Sequence, residues 1–253
     1  MAKLPTDPGM LERTVVDLAA AAFTNARALL TSAQALLDER QWPTAFSVAA
    51  LALEEVGKAS LCMTTLVMPP AVREEFRPAF AKAFTDHQAK AEFAHLVLGM
   101  VADEMPASLE QLLDDVVASA RRTNAVKFRG LYVDYTDTGA LLKPDSVGES
   151  EARWMVTTVT STLAASGPAE AAAAEPDVLL DFIRQWQSGV DFDALSAYVE
   201  AAPEQFLADM RAFGRDDVLP PALFLGNTLA EQLTAAAAPA ALPAGENALP
   251  SGE

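Results

Sequence analysis

Two acidic and basic clusters interrupt otherwise apolar stretches of this chain, and both carry side chains able to do chemistry. The first is Leu53-Glu54-Glu55-Val56-Gly57-Lys58. On a helix, Glu54 and Lys58 are four apart and Glu55 and Lys58 three apart, so the ammonium reaches either carboxylate on one face. Gly57 costs about 1 kcal/mol relative to Ala in a helix interior, which points to another backbone or a ligand in close approach. An ordinary solvated ion pair is the plainer reading, but here the flanks are apolar on nearly every side. The second cluster is Asp86-His87-Gln88-Ala89-Lys90, with Lys82 just upstream. His87 and Lys90 lie one turn apart, and imidazole is the side chain that most readily exchanges a proton near neutral pH. A surface histidine beside a surface lysine is the plainer alternative. His95, amid Phe93, Leu96 and Val97, reads as a packed histidine satisfied locally.

A third cluster, Arg121-Arg122-Thr123-Asn124-Ala125-Val126-Lys127-Phe128-Arg129, is the densest cationic stretch. Cations favour helix C-termini for macrodipole reasons alone. Four cations in nine residues exceed that need, and a pocket for phosphate or carboxylate is the alternative. Gly130-Leu131-Tyr132-Val133-Asp134-Tyr135 follows at once. Its alternation is too short to specify a strand, and its tyrosines can stack on a base or pack on the protein.

Helices must position these groups. The 253 residues are 51% hydrophobic but only 7% aromatic, and the apolar content is mostly Ala and Leu, both strong helix formers. Apolar residues recur at three- and four-residue intervals from Met10 to Asp38. Pro43 opens a second helix over about Thr44–Leu66, apolar on most sides as a central helix is. Pro69-Pro70 ends it. Further helices are expected over Val72–Phe84, Asp86–Asp103 with Asp86 as N-cap, Ser108–Lys127 and Glu149–Ala165. Phe128–Val147 reads as a long loop, a type that is often functional. Ser166-Gly167-Pro168 and the Ala/Glu tract after it mark a boundary. Short helices follow over Pro176–Gln187, Phe192–Glu200, Pro203–Phe213 and Leu223–Leu233. The expected organisation is a flexible N-terminus (1–9), an all-α antiparallel bundle (10–166), a helical extension (167–235) and a disordered tail (236–253).

The net charge of −17 disfavours a surface that coats DNA or RNA broadly, since phosphate binding draws on clustered Lys and Arg. It leaves room for one small cationic pocket. Cys62 has no partner for an intrachain disulfide. The N-terminal residues lack a secretory pattern, and no apolar run reaches the roughly 20 residues a membrane span needs. A cytoplasmic location is the expectation.

Taken together these residues resemble the AbiV family of bacterial abortive-infection proteins, within the HEPN superfamily. The resemblance rests on the Ala-rich first helix, on Trp42-Pro43 leading to Ala49-Ala50-Leu51-Ala52-Leu53-Glu54-Glu55-Val56-Gly57-Lys58-Ala59, on His87-x-x-Lys90, and on Lys127-Phe128-Arg129-Gly130-Leu131-Tyr132-Val133-Asp134. It covers roughly residues 15–165. It implies a compact HEPN-like helical bundle, a homodimer, and a toxin-like role in phage defence that shuts down translation, with a phage-encoded activator protein as one partner. Many HEPN relatives are metal-independent ribonucleases with an Arg-x(4–6)-His motif. Counting from Arg122, the histidine slot here holds Lys127, Phe128 or Arg129. Lysine and arginine can steady phosphate charge, but arginine cannot act as a base near neutral pH.

A proton carrier is restored if the bundle folds His87 against the Lys127–Arg129 region. Glu55 would then orient Lys58 or Arg129. The candidate catalytic residues are therefore Glu55, Lys58, His87 and Arg129. Glu54, Lys90, Arg122, Lys127, Tyr132 and Asp134 are candidates for binding RNA or a nucleotide. No cofactor or metal is called for. Two other functions compete: an interaction protein that binds ribosomal or phage proteins and uses the polar cluster structurally, and a metal hydrolase built on Glu54, Glu55, Asp86 and His87. The latter lacks a Glu-x-x-His pair of the di-iron bundle type.

Overall fold

The computed structural model describes residues 8–101, 108–206, 208 and 209. Among these the chain is all-α apart from one two-stranded hairpin. Helix α1 (Pro8–Asp38) turns back through Glu39-Arg40-Gln41 into α2 (Trp42–Val67), and the two form the most extensive helix pair. The amides of Arg40 and Gln41 cap α1 by bonding to the Leu37 and Leu36 carbonyls. Arg40 takes φ 59° to do so, a position where glycine is usual.

α2 is the central helix, as its all-round apolar surface predicts. It touches α1, α4 (His87–Val101), α5 (Leu109–Leu131) and α6 (Glu149–Ala165). Val56, Leu61 and Cys62 are fully buried along it. Burial raises the Cys62 thiol to about 12, so it is a packing residue at neutral pH. α3 (Pro70–Ala83) links α2 to α4. Asp86 caps α4 as expected: its Oδ1 accepts the amides of Gln88 (2.8 Å) and Ala89 (3.2 Å). Ser108 does the same for α5 through Gln111.

Two expectations need correction. α5 does not stop at Lys127; it runs on through Phe128-Arg129-Gly130-Leu131. The glycine that looks like a helix breaker is a packing requirement, because a Cβ on Gly130 would stand 2.8 Å from the Pro43 carbonyl oxygen of α2. The remaining connection is not a loop without secondary structure. Strand β1 (Asp134–Tyr135) pairs antiparallel with β2 (Leu141–Leu142), and a 3₁₀ turn (Pro144–Ser146) follows.

Beyond Ala165 the chain continues as α7 (Gly167–Ala173), α8 (Pro176–Gly189) and α9 (Phe192–Ala201). Ala173, Leu179, Leu180 and Ile183 belong to the same apolar core as Val15, Phe46 and Met155. Arg27 of α1 binds Glu170 of α7 through two parallel contacts. The Ser166-Gly167-Pro168 break is thus a corner between packed helices. Residues 1–7 of the expected flexible N-terminus, the far end of the helix over Pro203–Phe213, the helix over Leu223–Leu233 and the tail 236–253 lie outside the described residues. Among the described residues, no helix is long and apolar enough to cross a membrane.

Candidate active site at the junction of three helices

Glu54 projects from the middle of α2 into the seam where α4 and α5 meet it. It is 3% exposed. Burying a carboxylate is costly unless it is paired and hydrogen-bonded, and one imidazole and two ammonium groups answer it. His87 Nδ1 donates to Oε2 at 2.5 Å. Lys90 Nζ lies 3.4 Å from the same oxygen. Lys127 Nζ donates to Oε1 and, at 2.9 Å, to Asn124 Oδ1. Lys127 is 1% exposed and Lys90 7%.

Backbone approach builds this seam. A Cβ on Gly57 would lie 1.7 Å from the Lys90 carbonyl oxygen, so α4 can rest here only because α2 has glycine at that point. On the α5 side, the Ser47 hydroxyl sits 2.9 Å from the Pro43 carbonyl and 3.1 Å from that of Lys127. That contact pins α5 at the turn from which Lys127 reaches inward. The Asp86 cap fixes the first turn of α4, where His87 stands.

His87 differs from its partners in being open, with 54% of its side chain exposed. A carboxylate accepts hydrogen bonds and does not donate, so Nδ1 carries the shared hydrogen and Nε2 is the ring nitrogen that does not face Glu54. Carboxylate–imidazole pairs of this kind hold the ring in one tautomer and orientation. The Phe128 ring meets the imidazole edge-on at 6.4 Å and stacks against Tyr132 at 6.2 Å. The Lys127 ammonium lies 4.7 Å from the centre of the Phe128 ring.

The structure thus gathers Glu54, His87, Lys90 and Lys127, with Tyr132 at the rim, and it separates the other candidates. Glu55 pairs with Lys58 at 2.5 Å on a neighbouring flank of α2, where the Lys58 ammonium lies 5.5 Å from the Phe84 ring centre. The acid that holds His87 is therefore Glu54 and not Glu55, because consecutive helical residues point about 100° apart. Arg129 turns toward α6 and bonds Glu151 at 2.9 Å. Glu151 also accepts the Gly148 amide, so Arg129 ties the end of α5 to the start of α6; of the two partners expected for Glu55, Lys58 is the one it meets and Arg129 is not. Arg122 lies over the Trp154 ring at 5.3 Å. Asp134 accepts the amide of Tyr135 in its own strand and is exposed. Asn124 and Phe128 went unnoticed in the sequence. Asn124 stands one turn before Lys127 inside the expected helix and could have been found from that spacing, whereas the Phe128–Tyr132 spacing needed α5 to extend past Lys127. Among the described residues, no three His, Cys, Asp or Glu side chains gather as metal ligands would.

His95, two turns further along α4, plays a different part. It is buried, with Nε2 3.1 Å from Thr123 Oγ1 of α5. Its partner comes from another helix, where a local one was expected. Burial lowers its pKa from 6.5 to about 4. The folded state therefore keeps the ring neutral, and the unfolded chain binds the extra proton between those values. The resulting stability is complete above the unfolded value and is lost as pH falls toward 4. We expect a loss of about 3 kcal/mol across that window, read as a falling urea midpoint, with the acid limb flattened in His95→Gln. Equal acid slopes in the two proteins would exclude His95 as its source.

Among comparisons with known proteins, no curated protein and no solved structure gives a significant match. A family profile, HEPN_AbiV, described as AbiV, matches residues 14–163. That span contains α2, α4, α5 and all but the last two residues of α6, and with them every side chain of the Glu54 junction. The match covers more than half of the sequence, and the chain belongs to the AbiV family of HEPN-type abortive-infection proteins.

Proposed function

We propose that this protein is a phage-defence effector that arrests growth or translation by binding RNA at the Glu54–His87 junction and cleaving it there. The observation that carries the reading is an open imidazole anchored through Nδ1 to a buried carboxylate, with two ammonium groups facing that single carboxylate. The surplus positive charge in an acidic chain suits a phosphodiester. In the cleavage, His87 Nε2 takes the proton of a 2′-hydroxyl and the 2′-oxygen bonds to the adjacent phosphorus. The bond to the 5′-oxygen breaks, and water protonates that oxygen. The products are a 2′,3′-cyclic phosphate and a 5′-hydroxyl. Glu54 keeps the imidazole oriented, and Lys90 and Lys127 offset charge building on the phosphate. A homodimer and a phage-encoded activator protein belong to the same reading.

A second reading is favoured by the depth of the cluster. Glu54 and Lys127 are almost wholly buried, as they would be in a network that fixes helix register for a non-enzymatic protein acting on ribosomal or phage partners. Total RNA incubated with purified protein, with and without EDTA, separates the two. The cleavage reading expects fragments that survive chelation and a fall of about 10²–10⁴-fold in His87→Ala. RNA left intact while cells still arrest favours the interaction protein.

A further inference from the structure

A row of large apolar side chains stays uncovered where α5 runs into the hairpin. Phe128 is 46% exposed, Tyr132 58% and Val133 66%. Exposed aromatics are costly to leave in water, and most rings among the described residues are buried or half-buried. The first two of these are not independent. One helical turn apart, they stack with an interplanar angle of 24°, and Phe128 also abuts the His87 ring. The result is a flat, outward aromatic step whose inner end touches the open imidazole.

Resting on the RNA reading above, we propose that the paired rings of Phe128 and Tyr132 are a stacking shelf for one unpaired nucleobase of a single-stranded RNA. A base seated there sets its own sugar and phosphate beside His87. Three observations favour a nucleic-acid occupant over an apolar one. Planar rings presented in a stack match a nucleobase face, whose contact tolerates any base. The Lys127 ammonium lies under the Phe128 ring, and Lys90 and His87 lie close by, so the step borders the cationic side of the junction. The chain as a whole is strongly acidic, which repels a long duplex and leaves a short local contact as the mode that works. Duplex bases are already stacked on one another and cannot lie on the shelf, so the site selects single strands.

The test uses the full chain and a short oligoribonucleotide carrying 2-aminopurine, whose fluorescence is quenched when the base stacks. We expect quenching with the single strand and none with the matching duplex. Phe128→Ala and Tyr132→Ala should each weaken binding about tenfold and abolish the quenching, and Tyr132→Phe should keep both. Both side chains are exposed, so unchanged circular dichroism is expected, and it shows that any loss is local. Binding and quenching unaffected by either alanine overturn the shelf while leaving the RNA reading in place. No binding by the unaltered protein overturns both. Loss of self-association in the alanine variants with RNA binding intact also overturns it, assigning the step to contact between copies of this chain.

Discussion

Replacing Glu54 by alanine is expected to destabilise the protein by about 3–5 kcal/mol, although the residue beside it can be replaced at little cost. Among the described residues, Glu54 is the sole carboxylate in contact with Lys90 and Lys127. Without it two buried ammonium groups lose their counter-charge, with the desolvation cost undiminished and the attraction gone. Glu55 offers the internal control. It is a neighbouring acid on the same helix with one ammonium partner, Lys58, both partly open to water, and Glu55→Ala should cost no more than about 1 kcal/mol. Urea unfolding of the two variants gives the comparison directly. A Glu54→Gln, Lys127→Met cycle should add a coupling of about 0.5–3 kcal/mol. Equal midpoints for Glu54→Ala and Glu55→Ala would mean that the charges at the junction are relieved in some other way.

The second large effect is expected from a single methyl group. Gly57→Ala places a Cβ 1.7 Å from the Lys90 carbonyl oxygen, and that obstacle is backbone. α4 must move away from α2, carrying His87 and Lys90 with it. The destabilisation should exceed about 3 kcal/mol, at or beyond the upper end for overpacked cores, despite alanine's better helix propensity. Gly99 shows the contrast. Its added Cβ would meet only Leu112 Cδ1, at 2.7 Å. A leucine terminus can rotate aside, so Gly99→Ala should change stability by less than about 1 kcal/mol. Any folded Gly57→Ala protein should also lose the His87–Glu54 contact, visible as a changed imidazole resonance in NMR. A native imidazole signal in that variant would mean that the seam tolerates the methyl without displacing α4.

The helices themselves were legible because the apolar spacing, Pro43, Pro69-Pro70 and the Asp86 cap are local signals. Gly57 likewise announced a close approach before its partner, the Lys90 backbone, was known. The choice between Glu54 and Glu55 was not legible. It depends on which side of α2 receives α4, a fact held in tertiary packing and absent from the spacing of either acid. The cationic stretch shows the same limit. Read as a string, Arg122, Lys127 and Arg129 form one group. Wound on α5 they diverge, to the Trp154 ring, to Glu54 and to Glu151. The string also concealed the last turn of α5, since Gly130 and the tyrosine and aspartate after it have loop-like composition. Only the crossing with Pro43 explains why glycine sits in a helix there.

The end of the central helix has an unexpected guardian. Arg73 of α3 and Gln187 of α8 both donate to the Leu66 and Met68 carbonyls, and Arg73 also binds Glu12 of α1. Gln187 lies well past the stretch that identifies the family. The outer helices therefore splint the C-terminal end of the helix that bears Glu54, and loss of the Gln187 amide would leave the Leu66 and Met68 carbonyls to Arg73 alone among these two donors.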